Sequence, residues 1–167
     1  MKNMCKDKDL EYIIGESLLK NNLTISTAES CTGGMVAAKL ISYPGISASY
    51  LEGAITYSNE AKVKRLGVKE ETLLKYGAVS EQTAREMAKG IARVSESKVS
   101  ISTTGLAGPG GGSVDKPVGL VYIGVYLEGE TIVKKFNFSG ERDQIRKETT
   151  VMALTILKNL LEQKGYL

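Results

Sequence analysis

Two side chains able to attack a carbonyl carbon stand side by side in AESCTGG, residues 28–34: Ser30 and Cys31. They follow a short β-branched run, LTISTA (23–28), and precede MVAAKLI, which reads as the start of a helix over about 34–42. A strand-to-helix junction presents free backbone N–H groups and the positive end of the helix dipole. The chemistry open to such a turn is nucleophilic attack beside an oxyanion site, or capture of an anion. It also reads as a tight corner with no chemistry, and its residue types alone do not separate these readings. The chain contains no histidine. That excludes Ser-His-Asp and Cys-His catalysis, histidine-ligated metals and histidine bases. A nucleophile here needs lysine, tyrosine, a carboxylate or a helix N-terminus to activate it.

Three further segments offer partners. In AITYSNEAK (54–62), Tyr57 ends a predicted strand and Lys62 falls in the opening turns of the next helix, near the sheet edge where α/β folds bind ligands. A lysine serves as a base when burial or a nearby cation lowers its pKa; otherwise Lys62 is one solvated lysine beside Lys64 and Arg65. In TTGLAGPGGGSVDKPVG, glycines 105, 108, 110, 111 and 112 form a loop too long for a hairpin. It lacks the Gly-Lys-Ser/Thr of a Walker A loop and the spacing of a dinucleotide fingerprint. It can bring backbone close to a phosphate or ribose, or be a solvent loop. In SGERDQIR (139–146), Arg142 and Arg146 share a helix face and make either a phosphate clamp or a solvated surface balanced by Glu141, Asp143 and Glu148. Three of the four segments fall at predicted C-terminal strand ends and the fourth opens a helix, a convergence that points to a hydrolase or anion-binding α/β domain.

The elements that must position these residues follow from periodicity. Residues 9–20 place Leu10, Ile13, Ile14, Ser17 and Leu18 on one helical face. Residues 51–58 read as a strand. Ser58 or Asn59 caps a helix that Gly67 stops, and 69–77 forms a short helix. Ser80 caps a long helix over 81–96 with Ala84, Met87, Ala88, Ile91 and Ala92 inward. Strands over 98–105, 120–127 and 131–138 follow, the last two joined by EGE as a hairpin. A helix over 141–164 turns Ile145, Thr149, Met152, Ala153, Ile156, Leu157 and Leu160 inward. Alternating strands and helices followed by a late hairpin predict an α/β fold, a three-layer α/β/α sandwich with one mixed β-sheet.

Composition sets the remaining bounds. A chain of 167 residues suits one domain over 1–167 and buries a core without staples. A net charge of +3 with both signs interspersed falls short of a nucleic-acid-binding pattern. No apolar run reaches the roughly 18 residues of a membrane span, and the charged start MKNMCKDKDLEYII is no signal peptide. A cytoplasmic location is expected, with no membrane or nucleic-acid partner. Cys5 and Cys31 are too few for a disulfide framework or a zinc site.

TAESCTGG, TYSNEAK, GAVSE (77–81), TGLAGPGGG, KPVG (116–119) and the ER..IR pair followed by AL occur in this order from about residue 9 to 160. Together they resemble the C-terminal domain of the CinA (competence/damage-inducible) family, the nicotinamide-nucleotide amidases. The resemblance implies hydrolysis of the carboxamide of nicotinamide mononucleotide (NMN) to nicotinic acid mononucleotide and ammonia, in pyridine nucleotide salvage. It places the family's serine, tyrosine and lysine on Ser30, Tyr57 and Lys62. The phosphate-contacting arginine falls on Arg146, with Arg142 as the alternative. The substrate-lining loop falls on Thr104, Gly105, Gly108, Gly110 and Gly111. Gly140-Glu141-Arg142 stands where many relatives have Gly-Asp-Arg, and the acid is kept. Many relatives carry a preceding domain similar to molybdopterin-binding proteins, which is not expected here. A homodimer is implied; a metal or cofactor is not.

The resemblance suggests a route without histidine. Ser30 attacks the carboxamide, and neutral Lys62 takes its proton directly or through Tyr57. Amides around Thr32, Gly33 and Gly34 form an oxyanion hole, and Arg146 with the glycine loop holds phosphate and ribose. Cys31 competes as the nucleophile. A nucleotide-binding or regulatory domain that kept the pocket without turnover is the other reading; the intact Ser30, Tyr57 and Lys62 set argues against it.

Overall fold

The computed structural model describes residues 10–167, which leaves Cys5 outside the described residues. The chain runs α1 (Leu10–Lys20), β1 (Ile25–Glu29), α2 (Met35–Ile41), a 3-10 turn (Ile46–Ala48), β2 (Tyr50–Ile55), α3 (Asn59–Leu66), α4 (Glu70–Tyr76) and α5 (Glu81–Ser95). It continues through β3 (Val99–Gly105), β4 (Leu120–Leu127), β5 (Glu130–Asn137) and α6 (Arg142–Gln163). The strands make one sheet in the order β2-β1-β3-β4-β5. β1 is parallel to β2 and β3, while β4 is antiparallel to β3 and β5. This is the expected mixed sheet. Glu128 and Gly129 both have positive φ, 46° and 99°, as the two-residue turn between β4 and β5 requires.

The two faces of the sheet are packed by different chemistry. On one, Ile101, Ile123 and Val125 meet α1 and α6 in a core with Ile14, Leu18, Leu154 and Leu157. On the other, small polar side chains let α5 approach closely: Ser100 Oγ donates to the Ala88 carbonyl and Ser102 Oγ to that of Ala84, each at 2.6 Å. Gly124 lies under the same helix, where a Cβ would stand 2.9 Å from the Ala84 carbonyl oxygen. The five residues expected inward on α5 are all buried. Elsewhere the register is imperfect: Ile13 and Met152 are only half-buried, while Leu154 and Leu161 of α6 are fully enclosed. Among the described residues no helix is long and apolar enough to cross a membrane.

Candidate active site

Ser30 follows the last residue of β1, and its amide donates to the Thr103 carbonyl at 3.0 Å, which ties it to the neighbouring strand. Thr32, Gly33 and Gly34 then turn the chain into α2. Gly33 and Gly34 adopt φ of 58° and 98°, the left-handed region that glycine enters without strain. The N-terminus of α2 is already occupied from within. Glu29, 1% exposed, accepts from Thr32 Oγ1 at 2.5 Å and from the amides of Gly34, Val36 and Ala37 at 3.0, 3.1 and 2.8 Å. The Gly33 amide donates to the Ser30 carbonyl at 3.2 Å. The amides of Gly33 and Gly34 are thus engaged internally and do not face an oxyanion, contrary to the expectation above. Thr32 is fully buried, its hydroxyl also 2.7 Å from that of Thr103. Cys31 lines the pocket, and among the described residues its amide meets no acceptor on another residue.

Lys62 reaches Ser30 because of where α3 begins. Ser58 caps that helix, its Oγ accepting from the Ala61 amide at 3.1 Å. Lys62 therefore sits in the first turn, and helical side chains lean toward the N-terminus. That carries Nζ back over the β2–α3 loop to the carbonyls of Thr56 at 2.8 Å and Tyr57 at 3.2 Å, and to Ser30 Oγ at 3.3 Å. Lys62 is only 1% exposed. Burial of the ammonium lowers its pKa from the ordinary 10.5. The adjacent thiol moves the other way: burial pushes Cys31 up to about 11.

β2 pairs with β1 only as far as Ile55, so Tyr57 lies beyond the strand it was expected to end. Its backbone carbonyl serves Lys62, while its ring is 63% exposed and its hydroxyl accepts from Arg142 Nη2 at 3.2 Å. A proton path from Ser30 to Lys62 through the phenol has no hydrogen-bonded route among the described residues; the direct contact does. Arg142 also donates from Nη1 to the Gly108 carbonyl at 2.7 Å, bridging the glycine loop to Tyr57.

Ser30, Cys31, Tyr57, Lys62, Thr104, Gly105 and Arg142 line a cavity of about 180 Å³. Gly108 does not line it and is joined to it only through Arg142, whereas Gly110 and Gly111 are exposed farther along the loop. Arg146, one turn after Arg142, does not line the cavity: Nε and Nη2 donate to the carbonyls of Cys31 and Thr32, each at 3.0 Å. Ala78 and Val79 supply a further wall that residue-type reasoning left without a role. They are held by Thr104 Oγ1 on the Ala78 carbonyl at 2.8 Å and Lys116 Nζ on the Val79 carbonyl at 2.8 Å. The GAVSE and KPVG motifs were the signal for this wall, since it is where those segments meet.

The sequence matches the CinA C-terminal domain over residues 7–161. The chain belongs to the CinA C-terminal domain family. Relatives named competence-damage inducible protein include one from Clostridium botulinum (strain Okra / Type B1), 60% identical over 156 residues that cover 93% of this chain and 38% of the relative. One from Clostridium perfringens (strain SM101 / Type A) is 59% identical over 92% of this chain and 37% of its own length. The chain therefore spans well under half the length of these CinA relatives. Among solved structures, the competence/damage inducible protein CihA from Agrobacterium tumefaciens superposes with a TM-score of 0.91 at 40% identity, covering 96% of this chain and 99% of that one. The competence damage-inducible protein A from Klebsiella pneumoniae gives 0.90 at 34% identity, covering 93% and 97%.

Proposed function

We propose that this CinA-family chain is an amidase that hydrolyses NMN to nicotinic acid mononucleotide and ammonia, with Ser30 as nucleophile and Lys62 as its base. The observation that carries the reading is the environment of Lys62 Nζ. A neutral amine has two N–H bonds and one lone pair. The Thr56 and Tyr57 carbonyls accept the two hydrogens, which leaves the lone pair for the hydroxyl proton of Ser30, whose Oγ lies 3.3 Å from Nζ. Burial favours that neutral form.

In the proposed reaction Ser30 Oγ attacks the carboxamide carbon as Lys62 takes its proton. The oxyanion lies against the Cys31 amide, the position after the nucleophile where acyl-transfer enzymes commonly place a donor. Lys62 then returns the proton to the departing nitrogen, ammonia leaves, and water hydrolyses the acyl-enzyme with the same lysine as base. The cavity of about 180 Å³ suits a single ring with its amide. Ribose and phosphate then extend past Tyr57 to Arg142. A phosphate there replaces the neutral acceptors Tyr57 Oη and Gly108 O with a charged one, a stronger partner for guanidinium.

Ammonia release from NMN without added metal tests the proposal, comparing wild type with Ser30→Ala and Cys31→Ala. Turnover that collapses only with Ser30→Ala supports it. Collapse only with Cys31→Ala makes the thiol the nucleophile and overturns the serine mechanism. Binding of NMN without turnover by the wild type overturns the amidase reading.

A further inference from the structure

Arg146 does not line the cavity, and Glu29 takes part in none of the steps above, yet both are bonded to the turn that carries the nucleophile. We infer that Glu29 and Arg146 act together as positioning residues for Ser30, and that Arg146 is not the phosphate ligand. This inference rests on the amidase reading for its kinetic consequence but not for its structural one.

The two residues hold the turn by complementary chemistry. Glu29 accepts from N–H and O–H groups on the downstream side: the Thr32 hydroxyl and the amides of Gly34, Val36 and Ala37. Arg146 donates to the carbonyls on the upstream side, those of Cys31 and Thr32. A planar guanidinium spans two consecutive carbonyls with a fixed fork, which one ammonium cannot reproduce. Ser30 itself is anchored to β3 through its amide. Residues 30–34 are therefore fixed from β1, β3 and α6 at once, and the side chain between these anchors is the one that must stay 3.3 Å from Lys62 Nζ.

The same bonds decide the division of labour along α6. Arg142 and Arg146 are one turn apart on one face, but only Arg142 lines the cavity. Turning Arg146 outward to a phosphate would strip the Cys31 carbonyl of its donor and leave the Thr32 carbonyl only the Met35 amide. The N-terminus of α2, the other feature suited to an anion, is filled by the Glu29 carboxylate. The anion of a substrate is thus left to Arg142.

The test pairs kinetics with a probe that needs no turnover. Wild type, Arg146→Lys and Glu29→Gln are assayed on NMN and on its phosphate-free nucleoside, nicotinamide riboside. Misplacing Ser30 lowers kcat by about 100-fold on both substrates, since a displacement near 1 Å costs about that much. KM for NMN stays within about threefold, because ground-state contacts are kept. A raised KM for NMN with kcat kept and the riboside unaffected in Arg146→Lys makes Arg146 the phosphate ligand and overturns the inference. Alkylation of Cys31 is measured in a Cys5→Ser background, well below each variant's unfolding midpoint. The expected result is labelling about tenfold faster in both variants, as the turn opens locally. Unchanged labelling overturns the inference even if the wild type proves to have no amidase activity, which would by itself sink only the proposed function.

Discussion

Replacing Lys62 with methionine removes the proposed base while keeping most of the volume of a side chain that is 1% exposed. Loss of a general base lowers kcat by about 10²–10⁴, or roughly 3–5 kcal/mol of barrier. Stability changes less. The Thr56 and Tyr57 carbonyls lose a donor, at about 1–3 kcal/mol each. Against that, the variant no longer buries an ammonium whose protonation the fold disfavours, worth about 1.4 kcal/mol per pKa unit. The net loss stays below the roughly 2–6 kcal/mol of the two unpaired carbonyls, and each kcal/mol lost lowers the unfolding midpoint by roughly 2–4 °C. The wild type carries the matching pH signature. Its activity rises with pH as Lys62 deprotonates, with a midpoint below the ordinary 10.5. Stability moves the same way: the unfolded chain keeps that proton up to 10.5 and the folded chain releases it earlier. Between the two values this group's contribution improves as pH rises; below the folded value the burial penalty stands in full. A coupled ammonia assay from pH 6 to 10 reads activity and calorimetry reads stability. Ammonia release by Lys62→Met within about tenfold of wild type would refute the argument, since that is less than any positioned base supplies.

Three other outcomes follow from the geometry. Cys31→Ala keeps ammonia release within about tenfold, because a buried thiol held at about 11 supplies almost no thiolate at neutral pH; steady-state kinetics with NMN checks this. Arg142→Ala raises KM for NMN by roughly 10- to 150-fold, the worth of a charged hydrogen bond of about 1.5–3 kcal/mol, with a smaller change in kcat. Gly90→Ala lowers the unfolding midpoint by about 2–12 °C, because the new methyl group would press into the Leu66 carbonyl where α5 crosses α3 and overpacking costs about 1–3 kcal/mol; differential scanning calorimetry reads it.

Much of the fold was legible because local chemistry and tertiary packing agree. The apolar spacing of residues 84–92 marks the buried face of α5, and Ser58, Ser80 and Gly67 cap or stop the helices as their types suggest. Ser100 and Ser102 fall in a segment read only as a strand, but their hydroxyls seat α5 by donating to its carbonyls, a purpose visible only once the helix lies across them. In the site, Ser30 and Lys62 meet as their places after β1 and in α3 suggest. Glu29 was given no role although its position carried a signal, whereas nothing local separates Arg146 from Arg142. An acid just ahead of a helix N-terminus is a readable signal, and Glu29 shows it. Arg146 and Arg142 look alike in sequence, and only the docking of α6 separates the cavity mouth from the back of the turn.

α6 follows every other described element along the chain, and both arginines near the site belong to it. A ribosome adds roughly 5–20 residues per second, so Lys62 emerges roughly 4–16 s before Arg142. During that interval Ser30 and Lys62 are both outside the ribosome, but the turn between β1 and α2 still lacks its guanidinium and the cavity lacks its cationic rim. On the reading developed above, a nascent chain holds its nucleophile and base without being able to use them. Hydrolysis of a nucleotide then begins only when α6 docks, and a chain stalled before that point consumes none.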